Sequence, residues 1–146
     1  MSYILIQQMV RIREEFDVAK STVDYLERSW ANMHREPAFE GLQLAQVRMA
    51  AINLEPTYIV RLFSAFEAVL RSILPGKQPD RRSAYALVSK AASKWQIPSP
   101  LVAKVDHLRE FRNRYVHQAT IDSSSMTFTE ALASLNHFLS WLPNPP

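Results

Sequence analysis

The apolar positions of this chain fall into helical rhythms. Leu5, Met9, Ile12, Phe16, Ala19, Val23, Leu26, Trp30 and Met33 follow steps of four and three, the spacing that lines one face of an α-helix. Arg11, Glu14, Glu15, Asp17, Asp24 and Arg28 fall on the other face. The pattern predicts one long amphipathic helix, ended by Pro37, whose narrow seam suits a bundle or a partner helix. From about Leu42 to Leu74 a second stripe runs through Ala45, Met49, Ile52, Ile59, Phe63, Phe66, Leu70 and Ile73. Pro56 falls on that stripe. Proline removes a helical hydrogen bond, yet the apolar phase survives it, so one long helix kinked near Pro56 is expected. Past Ile59 the apolar arc widens to take in Leu62, Val69 and Leu74, as in a buried central helix. Glu67 sits inside that arc and needs a partner.

Three shorter helices complete the reading. Pro75-Gly76-Lys77-Gln78-Pro79 is a break, after which Asp80 reads as the N-cap of a helix reaching about Trp95. Pro98-Ser99-Pro100 supplies a second break, with Ser99 as N-cap and Pro100 in the first turn. The helix it opens extends to about Gln118. Thr120 to Met126 reads as a polar loop, and Thr127-Phe128-Thr129-Glu130 as a capping box. A last helix then carries Leu132, Leu135, Leu139 and Leu142 as far as Pro143. The expectation is an all-α, up-and-down bundle of four to five helices in a single domain over 1–142, with 143–146 a loose tail. No segment reads as a strand.

The fourth helix breaks its own pattern. Leu101, Val105, Leu108 and Tyr115 form the stripe, and the step between the last two falls on Arg112. A guanidinium is always charged and costly to bury alone. Glu67, equally misplaced on the second helix, is the natural partner. Asn113 follows, and His117 lies one turn beyond it on the same face. Arg, Asn and His thus gather near one helix end, either as a site or as a decorated salt bridge.

Composition narrows the chemistry. The 146 residues fit one domain with a real core and contain no cysteine, so disulfides, thiolate metal sites and cysteine nucleophiles are excluded. Two glycines cannot build a glycine-rich phosphate loop. No His-Glu-x-x-His occurs, and no His has a Glu three residues before it, so neither zinc-protease nor di-iron bundle chemistry has its motif. His117 with Asp106 or Glu110 lacks metal-ligand spacing; no metal or other cofactor is expected. Met1 to Val10 lacks a basic leader and a small-residue cleavage site. No run approaches a membrane span, and a cytoplasmic protein is expected. Net charge is only +3, but residues 77–118 hold nine of the 17 Lys and Arg and three of the 14 Asp and Glu. That segment therefore carries +6 and the remainder −3, a distribution suited to binding a polyanion.

Considered as chemistry, the cluster fits metal-free RNA cleavage by attack of the 2′-hydroxyl. Imidazole exchanges protons near neutral pH. A guanidinium offers paired donors to charge building on phosphorus, and an amide can fix an oxygen or the imidazole ring. One helix supplies too few groups for both acid and base, but a two-fold dimer would double the set.

Arg112-Asn113-Arg114-Tyr115-Val116-His117 resembles the Arg-x4-His signature of the HEPN superfamily (higher eukaryotes and prokaryotes nucleotide-binding domain), where a polar residue, often Asn, follows the Arg. Phe63-Ser64-Ala65-Phe66-Glu67-Ala68-Val69-Leu70-Arg71 resembles the family's second-helix pattern of aromatic, Glu and Leu. The resemblance implies a helical bundle of HEPN type, usually dimeric and frequently a metal-independent endoribonuclease of toxin–antitoxin or other defence systems. It implies that Arg112 stabilises the scissile phosphate, His117 transfers protons and Asn113 assists, leaving a 2′,3′-cyclic phosphate and a 5′-hydroxyl. Arg109 and Arg114 would bind substrate, Glu67 would be a structural partner, and the partners would be RNA, a second copy and an antitoxin protein. A subset of the family carries Tyr two residues after the His. Here Gln118 is followed by Ala119, which argues against neutralisation through a modified tyrosine. The alternative is a HEPN-like module without catalysis that binds nucleotide, RNA or protein.

Overall fold

The computed structural model describes residues 2–76, 82–117 and 126–143. Among these residues five α-helices form an all-helical bundle: α1 (Ser2–Met33), α2 (Leu44–Ile73), α3 (Ala84–Trp95), α4 (Ser99–His117) and α5 (Phe128–Leu139), with a 3-10 turn at Pro37–Phe39. Among the described residues there is no strand, and no helix is long and apolar enough to cross a membrane. The expected loop over 120–126 falls almost wholly outside the described residues, as do Asp80 and the end of the tail.

α1 and α2 are an antiparallel hairpin. Glu27 pairs with Arg48 at 3.4 Å and, further along, Glu15 with Arg61 at 2.6 Å. α2 continues through Pro56, which is buried within it. The carbonyl of Ile52 loses its helical donor there. In the half of α2 beyond Pro56, Ile59, Leu62, Phe63, Phe66 and Leu70 are fully buried. They pack against Leu108 and Phe111 of α4 and Phe128, Leu135 and Phe138 of α5. Aromatic contacts lock the joints: Phe66 meets Phe138 edge-on at 5.4 Å, and Phe16 of α1 stacks on Phe128 at 4.1 Å.

The other half of the hairpin is less covered. Met49 and Ile52 continue the buried stripe of α2, yet they are 59% and 56% exposed. The reason is length. At about 1.5 Å per residue α1 and α2 run to roughly 48 and 45 Å, whereas α3 and α5 reach only about 18 Å. α4 and α5 each have one end near Pro56: the Tyr115 hydroxyl lies 3.1 Å from Thr57 Oγ1, and the first backbone N–H of α5, on Phe128, donates to Glu55 Oε1 at 2.7 Å. Beyond that level the two long helices have mainly each other. Val23, Leu26, Trp30 and Met33 of α1 are accordingly half-buried rather than core.

Helix ends differ in detail from the sequence expectation. Ser83, not Asp80, caps α3, accepting from the Ala86 N–H. α4 starts at Ser99 itself, with the carbonyl of Pro98 taking the N–H groups of Leu101 and Val102. Pro98 therefore stands in the cap position expected for Ser99. The Thr127 capping box is present, with Thr127 and Glu130 bonded reciprocally. α5 ends at Leu139 rather than Leu142 because the chain turns at Ser140, although Leu142 still packs against the core.

Candidate functional site

α4 brings its distinctive residues to the level of α2 where the bundle gives way to the bare hairpin. Phe111, not Arg112, carries the core rhythm. A step of three from Leu108 is as good a helix-face step as four, and Phe111 takes it, fully buried. Arg112, one residue on and about 100° further round, lies at the margin of the α2–α4 contact, its side chain 31% exposed. The guanidinium occupies the rim of the core, not a core position.

Its partners are well defined. Nη2 donates to Glu67 Oε2 at 3.1 Å, and Nη1 donates to Asn113 Oδ1 at 3.0 Å. The other Glu67 oxygen faces Arg71 Nη2 at 3.5 Å. Glu67, 12% exposed, is thus one carboxylate shared by two guanidinium groups, one on its own helix and one on α4. The misplaced charges of the two helices meet. Arg71, four residues after Glu67, belongs to this cluster and was overlooked in the sequence, although its spacing made it legible.

A second tie fixes the end of α4. Thr57 Oγ1 donates to the Asn53 carbonyl at 2.7 Å, so the contact at 3.1 Å between Thr57 Oγ1 and the Tyr115 hydroxyl has Tyr115 as donor. Arg114 and His117 are exposed, and among the described residues neither has a hydrogen-bond or ion-pair partner. Both lie in the last turn of α4, where cations complement the partial negative charge of the helix end. Four residues separate Arg112 from His117, a step of five that sets them about 140° apart around the helix. Arg112, Asn113 and Glu67 are brought together; His117 stands on the same helix end, one turn beyond Asn113 but turned away from Arg112.

Arg109 is held elsewhere. Its Nε donates to Asp106 Oδ1 at 2.6 Å, its Nη2 lies 3.7 Å from Glu110, and its guanidinium lies 5.7 Å from the Tyr85 ring centroid. The Asp106 hydrogen bond raises the Arg109 pKa above its ordinary value, partial burial opposing it. Among the described residues no group of three His, Asp or Glu is placed to hold a metal ion. Comparison with protein-family models, curated proteins and solved structures finds no match.

Proposed function

We propose that the protein is a metal-independent endoribonuclease of HEPN type, a cytoplasmic toxin or defence protein acting as a homodimer on RNA. The observation that carries this reading is the end of α4. Arg112 is oriented by Glu67 and Asn113, with an exposed imidazole on the same last turns. A pre-oriented guanidinium meets developing charge on phosphorus without reorganising. The 2′-oxygen attacks phosphorus, the 5′-oxygen leaves, and one proton is removed and one delivered. His117 from each of two copies would supply the base and the acid. The 140° between Arg112 and His117 favours a site shared across a two-fold axis. Val116, 56% exposed between Tyr115 and His117, gives that helix end an apolar surface to bury. An antitoxin protein would be the partner that silences such an enzyme.

Incubation of RNA with wild type in EDTA should give cleavage, and His117→Ala should abolish it while keeping the wild-type melting temperature and RNA affinity. Equal cleavage by the variant would reject the assignment.

A second reading rests on the same ion pair. If Arg112 serves Glu67 alone, the protein is a non-catalytic binding module. Arg112→Ala would then lower the melting temperature and leave RNA handling untouched.

A further inference from the structure

Tyr85 is anomalous as a surface residue. It opens α3, is 60% exposed, and has Arg109 of α4 at 5.7 Å from its ring centroid. That guanidinium is no loose surface cation: Asp106 holds it at 2.6 Å, and the side chain is only 20% exposed. An aromatic ring is therefore backed by a fixed cation and still shows much of its surface to solvent. Tyr85 also stands at the edge of a groove of about 430 Å³ between α3 and α4. Val88, Ala92, Ile97 and Val102 supply its apolar lining, with Ser89 and the Asp106 carboxylate as polar groups.

Charge and position say what this arrangement suits. α4, one wall of the groove, carries Lys104, Arg109, Arg112 and Arg114 against Asp106 and Glu110, while Asp106 is the charged residue in the lining itself. Arg109 precedes Arg112 by three residues, so the two are neighbours on α4, about 5–6 Å apart at Cβ. An aromatic face backed by arginine beside a cationic helix is the arrangement on which single-stranded nucleic acids stack their bases, whatever the sequence.

We propose that Tyr85 and the α3–α4 groove form a nucleobase-stacking subsite for single-stranded RNA, next to the Arg112 cluster. The proposal rests on the ribonuclease reading for its substrate but stands on its own geometry. A base from a nucleotide flanking the scissile linkage lies on the free face of Tyr85. Arg109, held by Asp106, acts as a positioning residue behind the ring rather than as a phosphate ligand. Asp106 Oδ2 remains open to accept from an exocyclic amino group.

The test uses a fluorescein-labelled 10-mer of fully 2′-O-methylated RNA, which binds but cannot be cleaved, titrated into the full chain in EDTA. Tyr85→Ala should weaken binding roughly 5- to 100-fold, the range expected for one stacked base. Tyr85→Phe should stay within about twofold of wild type on the same ground. Since Tyr85 is exposed, both variants should melt with the wild type. Removing one base at a time from the oligomer should reveal a position whose loss weakens wild type but not Tyr85→Ala. Equal affinities for wild type and Tyr85→Ala, or no binding by wild type, would overturn the subsite. Cleavage of unmodified RNA is measured alongside. Tyr85-dependent binding without cleavage rejects the ribonuclease reading and keeps the subsite, whereas cleavage with unchanged Tyr85→Ala binding does the reverse.

Discussion

Glu67 holds the candidate site together more than either arginine does. Only 12% of its side chain is exposed, and it faces both Arg71 and Arg112. Truncating it removes the one carboxylate that faces both guanidinium groups. Truncating Arg112 leaves Glu67 still beside Arg71. Glu67→Ala should therefore cost about 2–3 kcal/mol, below the loss for a fully buried pair because water reaches the arginines. Arg112→Ala, a third exposed, should cost about 1 kcal/mol or less. Chemical denaturation of both variants gives the order; an Arg112→Ala loss exceeding that of Glu67→Ala would place the weight on the wrong residue. The pairing was legible in the sequence because each charge interrupted an apolar stripe. The place of Arg112 at the rim was not, since Leu108 allows a step to either residue 111 or residue 112. Only the buried neighbours on α2 and α5 select Phe111.

At the scale of elements, two helix ends carry separate predictions. α3 closes on Gln96 in the left-handed region, with φ of +52°, where a Cβ is strained and glycine is the usual occupant. Gln96→Gly should raise stability by about 0.5–1 kcal/mol, offset in part by its freer unfolded chain; a loss in thermal melting would refute the strain. α5 opens on Thr127, whose backbone N–H and hydroxyl both donate to Glu130 and hold its carboxyl below the ordinary 4.5. The unfolded chain then binds a proton more readily than the folded one. The stabilisation is complete above pH 4.5 and is lost as pH falls through the lowered native value. Glu130→Gln should remove that component of the acid-side slope; an unchanged slope would refute it. The capping box was readable from Thr-x-x-Glu alone. The α3 cap was not, because Asp80 and Ser83 are equally good candidates and only the packing of Ala84 and Leu87 against the core decides between them.

In the whole molecule, two long helices outrun three short ones. Met49 and Ile52 share the apolar phase of the buried half of α2 and are exposed all the same, since periodicity reports a face and not what covers it. Coverage depends on helix length, and the 12 residues of α5 end the bundle near Pro56. The same geometry sets the exposed end of α4 at the boundary between bundle and bare hairpin. There Arg112 faces inward to Glu67 and His117 faces outward. Within one chain these groups diverge, and the proposal is that two copies share the site. Sedimentation equilibrium at micromolar concentration should give a dimer, and a strictly monomeric chain that still cleaves RNA would refute the shared site. The most direct test of the ribonuclease reading is the end chemistry of RNA cut by the wild-type protein in EDTA. The account predicts a 2′,3′-cyclic phosphate on one fragment and a 5′-hydroxyl on the other. A 3′-hydroxyl with a 5′-phosphate, or intact RNA, would contradict it.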